Sequence, residues 1–478
     1  MYKMMMNAVA AVLLLWAVVP AAAMQTMDDI TGAWQGDMQV PDGPTFRIGL
    51  EVFRKADGQM GANVASLDQG VRYMSVSRLT YLNGRITVVL ASADVSISGL
   101  LEEDGKSIAA VFNQGNSRFD LRLRKVAALQ EALRPQTPTA EVGYASSEVR
   151  VENQADNVWL AGTVTVPAKA GRHPAVLLIS GSGPNQRDSY FFGHRPFLVL
   201  ADYLSRRGFV VLRMDKRGVL KSSGDYQKAG IDNFHRDTAA ALGFLMNQPY
   251  VARENIHLIG HSEGSMVAAM VGRTSPIKSI VSLAGPGLPV REVLIQQDQK
   301  VAAMKGATEE ELAILRDFSE RFYDTVLAVN GAGARATALQ ALYESLSARA
   351  AETVTKWGGS KGTLNVGFAS NDTFRALLET NPLDYWADVR APVLVLGGGK
   401  DTLVPAKQNV MGIANALRSH SVAVETAIFA DANHMFQSAN TGLTEEYAAL
   451  DETIRPDVLS RIAEWLCEKS PCGGMITE

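Results

Sequence analysis

The chain has few cysteines, and this shortage limits the chemistry that it can carry. Of its 478 residues only two are cysteine, Cys467 and Cys472. Two cysteines need nearby histidines to form a zinc site, and none of the seven histidines follows His434. Neither cysteine lies in a tight turn between a strand and a helix, so a catalytic thiol is not expected. In an oxidising compartment the pair could close a small disulfide loop near the C-terminus.

The chain also lacks a strong charge of either sign and long apolar runs after its N-terminus. The formal net charge is −4, which gives no reason to expect nucleic acid or an anionic membrane surface as a partner. No later apolar stretch is long and charge-free enough to cross a bilayer, so no membrane span is predicted in the mature chain. The length allows two or three domains.

The N-terminal segment has the pattern of an export signal. Lys3 precedes the apolar run 8–19, and small residues follow it up to Ala23. This pattern predicts a signal peptide over residues 1–23. An uncleaved anchor helix is the alternative, which the short apolar core disfavours. Export would place the mature chain in the periplasm or outside the cell, where disulfides persist.

Residues 28–126 alternate apolar and polar side chains over short runs. Turn pairs such as Asp-Gly and Asn-Gly separate these runs. This period of two, with frequent turns, predicts a small antiparallel β-barrel or sandwich domain. The segment has no cluster of acids, bases or nucleophiles at a recognisable spacing. It is therefore interpreted as an accessory domain, for substrate access or for contact in a homodimer.

A second, larger domain follows over residues 147–470, after a linker at 127–146 that two prolines mark. Two alternating strands precede a series of short apolar strands that alternate with helices. Strands are predicted at 148–152, 159–166, 175–180, 209–215, 255–260, 279–284, 392–397 and 422–429. Apolar strands that alternate with helices predict a mostly parallel sheet covered on both faces. The fold class is therefore α/β.

The long segment between residues 284 and 392 has a mostly helical pattern, with helices predicted at 309–326 and 335–353. Neighbouring parallel strands need only one crossover helix, so most of this segment must be an insertion. We interpret residues 288–388 as a helical lid. Its acidic residues, including Glu309, Glu310 and Glu311, are expected to form solvated helix surface.

The most informative motif is Gly-His-Ser-Glu-Gly at 260–264, between an apolar strand and an apolar helix. Glycines two positions before and after the serine permit a very tight turn. Such a turn exposes the Ser262 hydroxyl and aims the first N–H groups of the helix at the same point. Ser262 is therefore the candidate nucleophile; the alternative is a glycine-rich turn without chemistry. A second match at 358–362 lacks the flanking strand and helix, so Ser360 is predicted to lie in a loop.

An activated serine needs a base within hydrogen-bond reach and an acid that orients the base. Asp401 follows the strand at 392–397, and His434 lies in the loop after the next strand. This is the chain order serine, acid, histidine. Asp401 and His434 are therefore the candidate acid and base, with Asp431 as the rival acid.

The loop at 181–184 reads Gly-Ser-Gly-Pro and follows the strand 175–180. Its glycines let the backbone approach a substrate carbonyl, so the N–H groups of Ser182 and Glu263 are the predicted oxyanion donors. A further run, Asp-Lys-Arg-Gly at 215–218, is interpreted as a structural ion pair that holds its loop.

These motifs resemble those of secreted bacterial serine hydrolases of the α/β-hydrolase superfamily, close to the S33-like serine aminopeptidase and acyl-peptidase-like esterase group. The resemblance covers roughly residues 145–470 and rests on the motifs at 178–184, 192–197, 215–218, 260–264 and 284–287. It implies an α/β-hydrolase fold with a lid insertion. It also implies acyl transfer to water through an acyl-enzyme on Ser262, with no metal and no organic cofactor.

The sequence departs from that family's usual pattern at two positions. Leu220 and Ser265 stand where glycine is common. Neither belongs to the predicted triad, so the departures concern the shape of the loops rather than catalysis.

Three functions remain open on this reading. A carboxylesterase acting on small-molecule esters comes first, because esters need less assistance to the leaving group. An exopeptidase of aminopeptidase type, acting on short peptides, comes second; Glu263 or a lid glutamate would then hold the substrate amine. The third is a non-catalytic binding protein, which the complete set of triad residues disfavours.

Overall fold

The computed structural model describes residues 26–40, 45–55, 58–67, 71–90, 94–115, 117–129, 134–139, 143–358 and 366–472. The predicted signal peptide and Ser360 lie outside these residues. The chain divides into two compact units, one of residues 1–54, 58–63 and 75–129 and the other of residues 55–57, 64–74 and 130–478.

The described residues between 32 and 126, here called the first region, form a nine-stranded sheet. Its strands are β1 (Gly32–Gln39), β2 (Thr45–Arg54), β3 (Met60–Ser66), β4 (Val71–Ser75), β5 (Arg78–Leu82), β6 (Arg85–Leu90), β7 (Val95–Leu101), β8 (Ser107–Gln114) and β9 (Ser117–Val126). They lie in the order β4-β3-β2-β1-β9-β8-β7-β6-β5. Neighbouring strands run antiparallel from β2 through β1 and β9 to β5.

The two edge strands of this sheet, β4 and β5, are neighbours in the chain, separated only by residues 76–77. A connection this short spans at most about 11 Å. The sheet must therefore curl until its edges approach each other, which gives a near-closed antiparallel barrel, one of the two forms that the sequence predicts. Alternate side chains fill its interior; in β6 they are Ile86, Val88 and Leu90, all buried.

The described residues from 143 onward contain an eight-stranded sheet in the order β10-β11-β13-β12-β14-β15-β16-β17. The strands are β10 (Tyr144–Asn153), β11 (Val158–Pro167), β12 (His173–Ile179), β13 (Val210–Met214), β14 (Val251–His261), β15 (Ser279–Leu283), β16 (Val393–Gly398) and β17 (Val424–Phe429). An antiparallel hairpin, β10 with β11, leads into the sheet. From β13 to β17 the strands are parallel. The α/β prediction is confirmed.

The second unit contains helices that cover both faces of this sheet and helices that form the insertion between β15 and β16. They are α1 (Pro196–Ser205), α2 (Ile231–Met246), α3 (Glu263–Gly272), α4 (Val290–Met304), α5 (Glu309–Ala328), α6 (Ala332–Glu344), α7 (Ala348–Trp357), α8 (Val366–Ala369), α9 (Asp372–Glu379), α10 (Leu383–Trp386), α11 (Ala406–Arg418) and α12 (Pro456–Lys469). Leu177 and Leu212 pack on the α2, α3 and α11 side, whereas Val176 and Val211 pack on the α1 and α12 side. Both faces being apolar explains the continuous apolar strands. Among the described residues, no helix combines the length and the hydropathy needed to cross a membrane.

The insertion between β15 and β16 consists of helices α4 to α10. It has an apolar core of its own, which includes Phe318, Phe322, Leu339 and Phe374. The helix predicted at 335–353 is divided into α6 and α7. The Ser347 hydroxyl accepts the N–H of Ala350 and so begins a new helix, because serine is a strong N-cap.

The expectation for the acidic run of the insertion is wrong at one position. Glu309 and Glu310 are exposed, but Glu311 is buried. Its carboxylate accepts the N–H of Thr308 at 2.9 Å and a hydrogen bond from Lys356 at 3.2 Å. The hydrogen bond from Thr308 is the main cause that lowers the pKa of Glu311 to about 2. Glu311 therefore caps α5.

The described part of the predicted linker is held against loops of the second unit. Arg134 donates to the carbonyls of Phe192 and Ala448, each at 2.7 Å. The side-chain amide of Gln136 donates to Ile454 O at 2.7 Å. Residues 134–136 therefore pack as part of this unit.

The two cysteines form a disulfide between α12 and the residues after it. The Cα atoms of Cys467 and Cys472 are 5.3 Å apart. Within the loop that they close, the hydroxyl of Ser470 lies 2.9 Å from Nε2 of His257 on β14. The disulfide therefore belongs to a segment that contacts the sheet.

Candidate active site

Ser262 lies at the turn between β14, which ends at His261, and α3, which begins at Glu263. Its backbone angles are φ 54° and ψ −123°, a region that residues with a Cβ rarely adopt. Two backbone hydrogen bonds hold this conformation: Ser262 N–H donates to Leu283 O at 2.8 Å, and Ser265 N–H donates to Ser262 O at 2.9 Å. The local strain at Ser262 is thus fixed by its neighbours.

The glycines of the motif are required by close backbone approach. A Cβ at Gly264 would lie 2.1 Å from Ile179 O, and one at Gly260 would lie 2.2 Å from Gly264 O. Carbonyl oxygens of the sheet and of the helix therefore occupy the space that any side chain would need. This contact lets β14 turn directly into α3.

Gly264→Ala is expected to destabilise the protein by about 3 kcal/mol or more, because the new methyl group meets backbone atoms that cannot move away. The matched control is Gly243→Ala on α2, where an added Cβ has nothing within 4 Å. That change should raise stability by up to about 1 kcal/mol, since alanine favours helix. Urea unfolding of the two variants tests the pair. Equal stabilities would contradict the steric argument.

Asp401 and His434 form a buried pair. His434 Nδ1 lies 2.7 Å from Asp401 Oδ2. His434 is 4% exposed and Asp401 is 0% exposed. Asp401 Oδ1 accepts the N–H groups of Leu403 and Val404, both at 2.8 Å. Both carboxylate oxygens are therefore engaged, which fixes the carboxylate relative to the imidazole ring.

The rival acid, Asp431, lies in a different environment. It pairs with Lys400 at 3.1 Å, and its side chain is 67% exposed. The bond to His434 that the structure shows comes from Asp401.

The loop that carries His434 packs against the elbow. His261 Nε2 lies 3.0 Å from His434 O, and the two imidazole centres are 4.8 Å apart. Burial lowers the pKa of His261 to about 3, with the charge of His434 adding to the effect. His261 is thus neutral at ordinary pH, and its Nε2–H donates to the carbonyl. The residue next to Ser262 therefore holds the His434 loop in place.

The predicted oxyanion residues also lie at the elbow. A Cβ on Gly181 would be 3.1 Å from Ser262 Cβ, so the loop after β12 lies directly against the serine. The Ser182 hydroxyl donates to Glu263 Oε2 at 3.2 Å. Glu263 is the first residue of α3, where backbone N–H groups have no partner within the helix. The structure thus brings Ser182 and Glu263 together beside Ser262.

The run at 215–218 holds two kinds of contact. Asp215 pairs with Arg187 at 2.7 Å, and Arg217 pairs with Asp237 at 2.7 Å. The run therefore takes part in structural ion pairs, as predicted, but the partners Arg187 and Asp237 lie outside it and were not predicted. Lys216 instead contacts the site, because its Nζ donates to Glu263 Oε1 at 2.9 Å and to Gly181 O at 2.7 Å. Sequence reasoning missed this lysine.

A second lysine missed by sequence reasoning joins the insertion to the acid. Lys300 on α4 donates from Nζ to the main-chain oxygen of Asp401 at 2.7 Å. Burial lowers the pKa of Lys300. Nothing in its helical surroundings distinguishes Lys300 from a surface lysine, so no sequence signal was available.

The two departures from the family pattern have local explanations. Leu220 has a φ of 47° and is 39% exposed, so it keeps the left-handed backbone that glycine adopts without strain. The Ser265 hydroxyl lies 2.6 Å from that of Ser282 on β15. Ser265 therefore joins α3 to the sheet.

Across the described part of the chain, no group of three or more histidine, cysteine, aspartate or glutamate side chains is placed to hold a metal ion.

Comparison with known proteins gives one family and several distant relatives. The alpha/beta hydrolase family matches residues 176–445, more than half of the chain. Esterase EstD of Thermotoga maritima is 24% identical over 309 residues, which are 64% of this chain and 65% of that esterase. The match thus spans just under two thirds of that relative.

Two solved structures are similar at low identity. An esterase of Pyrococcus furiosus is 18% identical, with 68% of this chain and 91% of that chain covered and a TM-score of 0.41. An acylaminoacyl peptidase of Pyrococcus horikoshii is 14% identical, with 92% and 67% covered and a TM-score of 0.46.

Proposed function

Because the chain belongs to the alpha/beta hydrolase family, we propose that it is a serine hydrolase that cleaves carboxylic esters through an acyl-enzyme on Ser262. The observation that carries this proposal is the buried bond of 2.7 Å between His434 Nδ1 and Asp401 Oδ2, with the main chain of His434 bound by His261, the residue before the strained Ser262. The similarity to Esterase EstD supports an ester as substrate.

In the first half of the proposed reaction, Ser262 Oγ attacks the ester carbonyl carbon. Its proton passes to His434 Nε2, and the carbonyl oxygen becomes an oxyanion. The backbone N–H groups of Ser182 and Glu263 donate to that oxyanion. The tetrahedral intermediate then collapses: the carbon–oxygen bond to the alcohol breaks, and His434 gives its proton to the leaving alcohol.

In the second half, water repeats the same steps. His434 takes a proton from water, the hydroxide attacks the acyl carbon, and the bond to Ser262 breaks as its oxygen regains the proton. Asp401 holds the Nδ1–H tautomer of His434 throughout. Its two hydrogen bonds from Leu403 and Val404 keep the carboxylate in place.

In the peptidase alternative a carboxylate binds the amine of the substrate. Two candidate carboxylates already have partners within the protein. The carboxylate of Glu263 is occupied by Lys216 and by the Ser182 hydroxyl. That of Glu311 caps α5. A substrate ammonium bound by either of these two carboxylates would have to displace one of these contacts, and this together with the similarity to Esterase EstD places ester hydrolysis first.

We also propose that the protein is exported to the periplasm or secreted. The disulfide between Cys467 and Cys472 supports this proposal, because such bonds persist in oxidising compartments. N-terminal sequencing of the protein recovered from its host tests it. A mature N-terminus near residue 24 is expected, and an N-terminus at Met1 would contradict it.

The test of the hydrolase proposal is a substrate panel run with an active-site label. Purified protein is assayed on short- and medium-chain p-nitrophenyl esters and on aminoacyl and prolyl p-nitroanilides, and is treated with a fluorophosphonate probe followed by peptide mapping. We expect ester turnover and a label on Ser262. Equal or faster amide turnover would make the protein a peptidase. No turnover and no label would favour the binding-protein reading.

A further inference from the structure

The loop of residues 181–185, here named the oxyanion loop, is joined to the first turn of α3 by the ammonium group of Lys216, in addition to the hydrogen bond from Ser182 to Glu263. Lys216 Nζ lies 2.7 Å from Gly181 O and 2.9 Å from Glu263 Oε1. Lys216 comes from the loop after β13, which neighbours β12 in the sheet. A residue from a third loop therefore binds both the Gly181–Ser182 peptide and the side chain of Glu263, which carry the two predicted oxyanion donors.

The bridge is largely shielded from water. The side chains of Lys216 and Glu263 are only 10% and 11% exposed. The ammonium also lies 4.2 Å from the ring centre of Phe234, a distance at which the ring face attracts a cation. A buried ammonium is stable only with such partners. Its position is therefore fixed by a carbonyl, a carboxylate and an aromatic ring together.

Two further hydrogen bonds near the Lys216 ammonium hold the rest of the oxyanion loop. Gly183 N–H donates to the Tyr226 hydroxyl at 3.0 Å, and Lys216 N–H donates to Asn185 O at 3.1 Å. Tyr226 stacks on Phe234 with ring centres 5.8 Å apart. Burial raises the pKa of Tyr226 to about 12, with the charge of Glu263 adding to the effect. Tyr226 therefore stays a neutral phenol at ordinary pH.

The contact at Gly181 O acts on the oxyanion donor directly. The carbonyl of Gly181 and the N–H of Ser182 belong to one planar peptide group. Lys216 and the side-chain amide of Asn185, each at 2.7 Å, together fix this oxygen and therefore the direction in which that N–H points. Donation to the carbonyl also polarises the peptide, which strengthens the N–H as a donor. At the other donor, Lys216 holds the side chain of Glu263, the residue whose N–H is the second proposed donor.

We propose that Lys216 is a positioning residue that sets the geometry of the oxyanion hole by binding Gly181 O and the Glu263 carboxylate at once. This inference rests on the proposed hydrolase function. In this role Lys216 acts on the two donors and not on the substrate itself. It acts in the step that forms the tetrahedral intermediate, because only there does the carbonyl oxygen carry the charge that the two N–H groups stabilise.

The test compares Lys216→Met with Lys221→Met on a p-nitrophenyl ester. Loss of an oxyanion donor costs roughly 10² to 10³ in kcat. Misaligned donors should therefore lower kcat at least about 10-fold in Lys216→Met, with KM changed less than about 3-fold. Affinity for an alkyl boronic acid, which forms a tetrahedral adduct on the serine, should fall by the same factor as kcat/KM. Lys221 lies in the same loop as Lys216 but makes an exposed ion pair with Glu148 on β10. The Lys221→Met variant should therefore match wild type.

A purely structural lysine would give a different result. If Lys216→Met lowered Tm but kept wild-type kcat and boronic acid affinity, the positioning role would be wrong. Lys216→Arg covers the case in which the methionine variant does not fold. Its charge is kept, but the longer guanidinium cannot place an N–H at the same point, so a reduced kcat at near wild-type Tm is expected. Wild-type kcat in the arginine variant would overturn the proposal. Failure of the hydrolase proposal is recognisable separately, because wild type itself would then show neither turnover nor a labelled Ser262.

Discussion

Ser262→Ala is expected to lower kcat on an ester by about 10⁵- to 10⁶-fold, the effect of removing the nucleophile in serine hydrolases. The fold should survive the change. Both hydrogen bonds that hold the turn use backbone atoms of Ser262, and alanine keeps the Cβ, so the positive φ of 54° costs the same in both proteins. Initial rates and thermal unfolding of the two proteins measure the two expectations.

Two other serines serve as controls for this change. Ser265→Ala removes a buried hydroxyl on the same helix that bonds to Ser282, so it should cost about 1 kcal/mol of stability and leave most of the activity. Ser360→Ala changes the serine of the second Gly-x-Ser-x-Gly match and should leave activity at the wild-type level. Turnover that survives Ser262→Ala but is lost with Ser360→Ala would move the nucleophile to the second match.

The sequence predicts the architecture well because each element carries its own local pattern. The apolar run that forms β14 is fully buried from Ile256 to His261, and both sheet faces are covered by helices, so that run contains no alternation to misread. In the first region the period-two pattern leads directly to a curled antiparallel sheet. The error at 335–353 arises because Ser347 starts a second helix; a capping serine and a serine within a helix look alike when the helical pattern continues on both sides.

The candidate triad was predictable for a related reason. In a parallel sheet the loops at the carboxyl ends of the strands meet at one edge, so residues that follow β14, β16 and β17 must converge. The elbow glycines add a steric signature that a sequence displays directly.

Contacts that a side chain makes with residues distant in the chain were not predictable in this way. Lys216 reaches Gly181, which is 35 residues away, and Glu263, which is 47 residues away. Lys300 reaches Asp401 across 101 residues. The first set depends on β12 lying between β13 and β14, an order that no local pattern specifies. Lys216 therefore looked like one member of a charged run, and only the strand order makes it part of the site.

Asp401→Asn is expected to lower kcat about 10⁴-fold while the protein stays folded. The asparagine oxygen can still accept the N–H groups of Leu403 and Val404, which bond to Oδ1 in the native protein. Its NH₂ group then faces His434 Nδ1, where Oδ2 now accepts at 2.7 Å. A donor in that position favours the tautomer that carries its proton on Nε2. That nitrogen could no longer take the proton of Ser262.

Asp431→Asn is the matched control, because it removes the same charge from the neighbouring loop. The side chain of Asp431 is 67% exposed and pairs with Lys400. Exposed pairs contribute at most about 1 kcal/mol, so kcat should stay within about 2-fold of wild type. Parallel kcat and Tm measurements decide between the two acids. A large loss in Asp431→Asn with little loss in Asp401→Asn would assign the acid to Asp431, and it would require His434 to turn away from the buried carboxylate that the fold has placed against it.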